Sequence, residues 1–324
     1  MKEKVAVIGA GFYGLMLSTF LAKKYDVTIF EEASEVMTKA SNLCQARIHT
    51  GMMYPRHIRT AISCLMTFRP FMTRFSEAIV DNFTSIYAVA KNSNISSEEF
   101  YETQKGLGQH ITKIKNELFN PDLVSDVYSC EEFTFDPLII RNVLLHECEK
   151  EHIKIELNTR INKLDSLYKK YSKIFLCNYE DINRVLTNSY LSPIPMKSNK
   201  FEKIFYRDNL GELAVCVVDG NYFNTMCLPD RYEGIKTITA PDLSICKVGD
   251  MWDTLVKRVK KFIPDIAMTY DHSQIGYKSV CTDRDTFRTC LINQQNYRGI
   301  DIYSILGGKI TNVFNMFDDL KSTL

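Results

Sequence analysis

Cysteines are present but unpatterned. The ten, at positions 44, 64, 130, 148, 177, 216, 227, 246, 281 and 290, include no CxxC pair and no cluster with histidines at zinc-finger spacing. That argues against a metal site and against a disulfide framework. Such thiols suit a reducing compartment, the cytoplasm. A basic stripe with interleaved aromatics is also missing, and 40 basic side chains against 39 acidic leave a net charge of +1. No nucleic-acid partner is expected from that balance. There is no internal repeat, low-complexity tract or flexible linker, so a second domain must be woven into the first. One long uncharged run exists, the 18 residues Val5 to Ala22. Its three glycines come early and no small-residue cleavage site follows before Lys23, so it reads as strand, turn and helix. Neither an integral membrane segment nor a signal peptide is expected. The 324 residues, 45% hydrophobic and 24% charged, suffice for one large domain or two intimate ones.

What is there begins at the first strand. Lys4 to Ile8 is a β-branched run suited to a buried parallel strand. Gly9-Ala-Gly11-Phe12-Tyr13-Gly14 follows, then a helix-compatible stretch over Leu15–Lys24, then a second strand over Asp26–Phe30 that ends at Glu31. The spacing has a physical sense. Gly9 permits a tight turn out of the strand, Gly11 lets a pyrophosphate approach the backbone, and Gly14 allows the helix close to the sheet. The helix N-terminus offers N–H groups and partial positive charge to phosphates. Glu31, 22 positions after Gly9, can accept from both hydroxyls of a ribose. A dinucleotide is therefore expected here.

Further along, helical spacing covers Ile58–Ala78, a strand Thr84–Ala90 and a polar helix Glu98–Lys105, while Lys113–Leu118 reads as a charged, exposed segment. Asp136-Pro137 opens a helix over Leu138–Glu149. Strands are expected at Ile153–Leu157, Ile161–Leu167 and Lys173–Cys177. Two more lie within Lys203–Val218, followed by Tyr222–Leu228 and Lys236–Thr239, then a helix Met251–Phe262. The chain closes with a strand Asp301–Leu306, Gly307-Gly308-Lys309, and a helix Ile310–Leu320.

Val5 through Glu31 resembles the FAD-binding opening of the glutathione-reductase-like flavoproteins. Residues 135–178 and the strand–Gly-Gly–helix tail resemble the D-amino-acid-oxidase-like (DAO) family. Where that family ends its returning strand in Asn-Ala-x-Gly, this chain has Asn178-Tyr-Glu-Asp181. Asn42-x4-Arg47-Ile-His49-Thr-Gly51-x2-Tyr54 resembles the segment that crosses the isoalloxazine in the family's hydroxyacid oxidases, especially the L-2-hydroxyglutarate oxidase branch. The resemblance implies an α/β fold. Its glutathione-reductase-like Rossmann FAD domain (1–59, 135–189, 286–324) is interwoven with an α+β substrate domain on a mainly antiparallel sheet (60–134, 190–285). It implies FAD contacts at Gly9, Gly11, Phe12, Tyr13, Gly14, Glu31, Glu32, Asn42, Arg47, Ile161, Gly307, Gly308, Lys309 and Ile310. In the family the last helix points its N-terminus at the flavin pyrimidine, where negative charge develops.

Flavin oxidation of a C–H beside nitrogen or oxygen needs a substrate held against the ring, a proton acceptor and a clamp for any anion. His49 can serve as base, Tyr54 can orient the reacting atom, and Arg47, Arg56 and Arg288 can clamp an anion bidentately. A second GxGxxG is missing, so electrons should leave to oxygen, a quinone or another protein rather than to a nicotinamide domain. The leading expectation is an oxidase or dehydrogenase of a small, anionic amino or hydroxy compound. The alternatives are a redox-neutral sugar-nucleotide mutase, similar to UDP-galactopyranose mutase, and a flavin-bound module without turnover.

Overall fold

The computed structural model describes residues 2–240, 249–282 and 290–321. The chain divides into two compact units, each assembled from separated stretches: Met1–Asn42, Pro137–Asn199 and Tyr277–Leu324 in unit 1, Leu43–Asp136 and Lys200–Gly276 in unit 2. Strands and helices are numbered in chain order.

Unit 1 is built on six strands: β1 (Lys4–Ile8), β2 (Asp26–Phe30), β9 (Lys154–Glu156), β10 (Lys173–Leu176), β16 (Leu291–Tyr297) and β17 (Ile300–Leu306). Their order is β16-β17-β10-β1-β2-β9, parallel except for the antiparallel edge strand β16. Parallel strands covered on both faces need unbroken apolar runs, and Val5, Ala6 and Val7 are fully buried. Helix α1 (Phe12–Leu21) packs on α5 (Pro137–Lys150) and α8 (Val313–Lys321). Phe20 of α1 stacks on Phe317 of α8 with centroids 5.0 Å apart. The short helices α2 (Ala40–Leu43) and α6 (Ile182–Asn188) complete the connections.

In unit 2 an eight-stranded sheet runs in the order β15-β11-β14-β13-β12-β5-β7-β6. Its members are β5 (Thr84–Ala90), β6 (Ile111–Ile114), β7 (Val124–Cys130), β11 (Met196–Asp208), β12 (Leu213–Val218), β13 (Asn224–Cys227), β14 (Lys236–Thr239) and β15 (Met268–Cys281). The β12–β5 pairing is parallel and the other registers followed here are antiparallel. Strand alternation sends side chains to two faces. Ile204, Tyr206, Val215, Val217 and Ile238 go to one face, where Leu255, Val259 and Phe262 of α7 (Asp250–Phe262) cover them. Tyr87, Val89, Cys216 and Val218 go to the other, against Met52 and Phe100. Each such side chain, fully buried, is worth about 1.5–3 kcal/mol. Helix α4 (Ser97–Gly106) carries Phe100, and its N-terminus is closed by a capping box between Ser96 and Glu99. Helix α3 (Ile58–Arg74) and a small sheet, β3 (Arg47–Ile48)-β8 (Phe133–Phe135)-β4 (Ile79–Val80), complete the unit.

Three expectations need correction. Residues 161–167 form no strand: Leu164–Ser166 is a 3-10 turn, and Ile161 and Leu164 are drawn into the apolar cluster with Ile182 and Val185. Leu164 N–H donates to Ser189 Oγ at 2.9 Å rather than to a hairpin partner, and β9 pairs parallel with β2 instead. The segment Lys113–Leu118 is mostly exposed, as expected, and its first two residues also close edge strand β6, paired to β7. The tail helix starts as a 3-10 turn, Ile310–Asn312. Residues 43–59 belong to unit 2, because β3 pairs antiparallel with β8, Arg47 opposite Thr134 and Ile48 opposite Phe133. The second cut also moves, leaving residues 190–199 and the chain from Tyr277 in unit 1.

Candidate functional site

In unit 1 the turn after β1 is shaped by glycine. Gly9 sits at φ +100°, and a Cβ there would lie 2.8 Å from the Cys177 carbonyl oxygen. A Cβ on Gly14 would lie 1.9 Å from the Gly9 carbonyl oxygen, a distance no side chain tolerates, so glycine is required for α1 to come this close. Gly11 is the extended N-cap of α1. The Phe12 N–H donates to Ser41 Oγ at 2.9 Å, and the other first-turn N–H groups have no intrahelical acceptor. Glu31 is buried at the end of β2. Its Oε2 accepts from Ala10 N–H at 2.7 Å and its Oε1 from Ala33 N–H at 2.9 Å. Each carboxylate oxygen keeps a further lone pair for a ribose hydroxyl.

The remaining expected contacts of unit 1 are scattered around this turn. Glu32 is ion-paired with Lys39 and, at 3.1 Å, with Arg160. Asn42 is exposed in α2. Ile161 packs in an apolar cluster, while nearby Thr159 N–H donates to the Glu31 carbonyl at 2.7 Å. At the end of β17 a Cβ on Gly307 would fall 2.3 Å from the Tyr13 ring. The Tyr13 hydroxyl donates to the Lys309 carbonyl at 2.5 Å. Burial pushes the Tyr13 phenol well above its usual pKa, so it stays a donor. Gly308 is half-buried, Lys309 is buried and Ile310 opens the 3-10 turn.

The residues fit FAD. Buried polar atoms are costly without partners, yet Asn178 Oδ1 just after β10 and Thr311 Oγ1 in the last turn have none among the described residues. They accompany a glycine turn at the N-terminus of α1 and a buried carboxylate at the end of β2, the donor and acceptor types a pyrophosphate and a ribose call for.

In unit 2, His49 and Tyr54 have ring centroids 5.7 Å apart. Gly51 between them is at φ +103°, and a Cβ there would meet the Ala61 carbonyl at 2.9 Å. The loop is tied down by Gln109 Nε2, which donates to the Thr50 carbonyl. Arg47 does not reach outward. It is 5% exposed, 3.5 Å from Glu132, and donates to Tyr87 Oη at 3.1 Å and to the sulfur atoms of Met53 and Met226. Glu132 in turn accepts from Tyr87 Oη at 2.7 Å and Ser85 Oγ at 3.2 Å. Burial works against the Arg47 charge, but the Glu132 carboxylate together with Tyr87 and Cys216 outweighs it and holds the guanidinium above its usual pKa. Arg56 is ion-paired with Asp219. Arg288 lies outside the described residues.

Sequence reasoning missed Glu132 and Lys203. Lys203 is 3% exposed on β11; its Nζ donates to the Cys44 carbonyl at 2.7 Å and lies 4.7 Å from the Phe205 ring centroid. Burial lowers its pKa to about 8, against a smaller opposing pull from Cys44. The signal was visible as Phe201-Glu-Lys203-Ile-Phe205, a lysine in line with two phenylalanines on one strand face. Glu132 had no local signal, since its partner is 85 positions away.

Among the described residues no helix is long and apolar enough to cross a membrane, and the nine described cysteines are free thiols. An FAD-dependent monooxygenase of Fusarium mangiferae is 27% identical over 137 residues, 38% of this chain and 36% of that protein. The FAD-dependent monooxygenase kojA of Aspergillus flavus is 29% identical over 104 residues, 30% and 24% of the two chains. The matches thus span about a third or less of these relatives' length. Glycine oxidase from Geobacillus kaustophilus superposes with a TM-score of 0.75 at 15% identity, over 98% of this chain and 93% of that one. The dithionite-reduced L-alpha-glycerophosphate oxidase of Mycoplasma pneumoniae, a structure with FAD bound, gives 0.71 at 14% identity over 98% and 94%. These likenesses are of fold. The family model for DAO, FAD dependent oxidoreductase, matches residues 4–175, more than half of the sequence, and the chain is therefore a member of the DAO family of FAD-dependent oxidoreductases.

Proposed function

We propose that this enzyme oxidises a C–H next to an amine or hydroxyl in a small acid, an amino acid or a hydroxy acid, with unit 1 holding FAD and unit 2 the substrate. The observation that carries the reading is the pairing of His49 with Tyr54 on a braced loop of unit 2, in a chain of this family. Fold neighbours named glycine oxidase and iminodiacetate oxidase point to amines. The Arg47-Ile-His49-Thr-Gly51 pattern, similar to the L-2-hydroxyglutarate oxidase branch, keeps hydroxy acids in range.

Bound FAD supplies the acceptor for the substrate's hydride, at its N5. Glu31 accepts from the ribose hydroxyls, and the turn Gly9–Gly14 receives the pyrophosphate at the N-terminus of α1. His49 takes the proton of the amine or hydroxyl, a role suited to an imidazole near neutral pH. Tyr54 orients the reacting atom. Arg47 contributes by holding the start of this loop through Glu132, not by clamping the substrate. The electrons leave to oxygen, a quinone or a protein. No observation favours the sugar-nucleotide mutase.

The test is anaerobic flavin bleaching. The purified protein should be yellow, and an amino acid or hydroxy acid should bleach it. His49→Ala should leave FAD bound and slow bleaching by about 10²–10⁴-fold. An unchanged rate removes His49 from the chemistry, and bleaching by dithionite alone, with a full panel of acids inert, rejects the reading.

A further inference from the structure

The face of the eight-stranded sheet turned away from α7 carries an unusual pair of groups. Ile204 and Ile238 pair across β11 and β14 and both face α7. Alternation therefore puts Lys203, Phe205 and Thr237 on the other face, with Phe205 opposite Thr237 and Thr237 beside Met226. Lys203 and Thr237 are diagonal neighbours there, a separation that long side chains span.

Three basic side chains of unit 2 are buried among the described residues: Arg47, Lys203 and Lys236. Arg47 has Glu132 and Lys236 has Asp208, at 2.7 Å. Among the described residues Lys203 has no acid: its contacts are the Cys44 carbonyl and the Phe205 ring. A buried ammonium without a counter-charge is expensive to maintain. Thr237 adds a second expense, since its hydroxyl is fully buried with no hydrogen-bond partner among the described residues. The surroundings are aromatic. Phe205 stacks on His272 at 4.0 Å, and a Cβ on Gly276 would lie 2.8 Å from the Phe201 ring, so that glycine leaves Phe201 its place.

We propose that Lys203 and Thr237 form the receptor for the substrate's carboxylate. One carboxylate oxygen accepts from Lys203 Nζ and the other from the Thr237 hydroxyl, and the phenyl rings exclude water from the pair. The proposal rests on the reading that the substrate is a small acid. It assigns the clamp to a lysine on β11 in place of the arginines, two of which already hold acids of their own. The anion is the missing counter-charge.

The test is calorimetric titration of FAD-loaded protein with glycolate and acetate, each against its uncharged amide. Wild-type protein should prefer the carboxylates by at least tenfold. Lys203→Met should erase that preference and leave amide binding and FAD content unchanged, while Lys203→Arg should restore part of it. If Lys203→Met does not fold, Thr237→Val decides, because it keeps the shape and removes one donor; it should cut carboxylate affinity several-fold. Carboxylates bound no better than amides, or a preference that survives the substitutions, overturns the proposal. The oxidase reading fails separately: a protein bleached by an amine or alcohol without an acid group keeps the enzyme and loses this role for Lys203. One that binds glycolate through Lys203 but is bleached by nothing keeps the receptor and loses the oxidase.

Discussion

In unit 1 the groups proposed to receive FAD are defined by missing atoms. A Cβ on Gly9, Gly14 or Gly307 would strike a carbonyl or the Tyr13 ring. In unit 2 charge decides: buried Arg47 is neutralised by Glu132, while buried Lys203, proposed to meet the substrate, has no acid among the described residues. A cofactor shared by a whole family can be met by shape and backbone, which any sequence with the right glycines supplies. A particular substrate must be met by side chains, whose energy depends on whether each already has a partner. The difference between Arg47 and Lys203 is the sharpest case. The first has its counter-charge inside the protein; the second has none among the described residues and is the group proposed to take the substrate's.

The contrast can be broken most severely at Gly14. Gly14→Ala should abolish FAD retention, read as flavin per protein after gel filtration, because the new Cβ meets backbone that cannot move aside. Retention of the full flavin content would mean that the turn is looser than its geometry. Next in size is Glu132→Ala. Removing one partner of a buried ion pair costs about 3–5 kcal/mol, seen as a lower urea midpoint, with the folded fraction still holding FAD. If FAD affinity drops as steeply as stability, the division of labour between shape and charge does not hold. Glu31→Ala should weaken FAD by about 1.5–3 kcal/mol, roughly a ten- to hundredfold rise in Kd by fluorescence titration. An unaltered Kd would remove Glu31 as the ribose ligand. The smallest effect belongs to Ser96→Ala, which opens the capping box of α4 and should cost about 1 kcal/mol in the same urea experiment. A change in FAD affinity there would show coupling that the contrast denies.

The first strand, the glycine turn and β2 were legible in the sequence because each is local: the apolar run, the spacing and the acid all lie within 28 residues, Lys4 to Glu31. Helices α5 and α7 were legible from their periodicity and the residues at their ends. Strands β15 and β16 went unread because their residues are mostly polar and half-exposed, as in Met-Thr-Tyr-Asp-His-Ser-Gln, without the contrast on which a period-two reading depends. Residues 161–167 have the apolar content of a strand, but a hydroxyl from Ser189 takes the Leu164 N–H and the turn wins. In the candidate site, the position of His49 and Tyr54 on one loop followed from their spacing. The state of Arg47 did not, since Tyr87 reaches it from β5 and Glu132 from the connection between β7 and β8, both far along the chain. Pairing, more than position, was hidden.

The bond from the Tyr13 hydroxyl to the Lys309 carbonyl joins residues 296 positions apart. The turn after β1 therefore takes its final form only with β10 and β17, which lie to one side of β1 in the sheet, and the Lys309 carbonyl in place. A signature that is local in the sequence is completed by groups far from it along the chain.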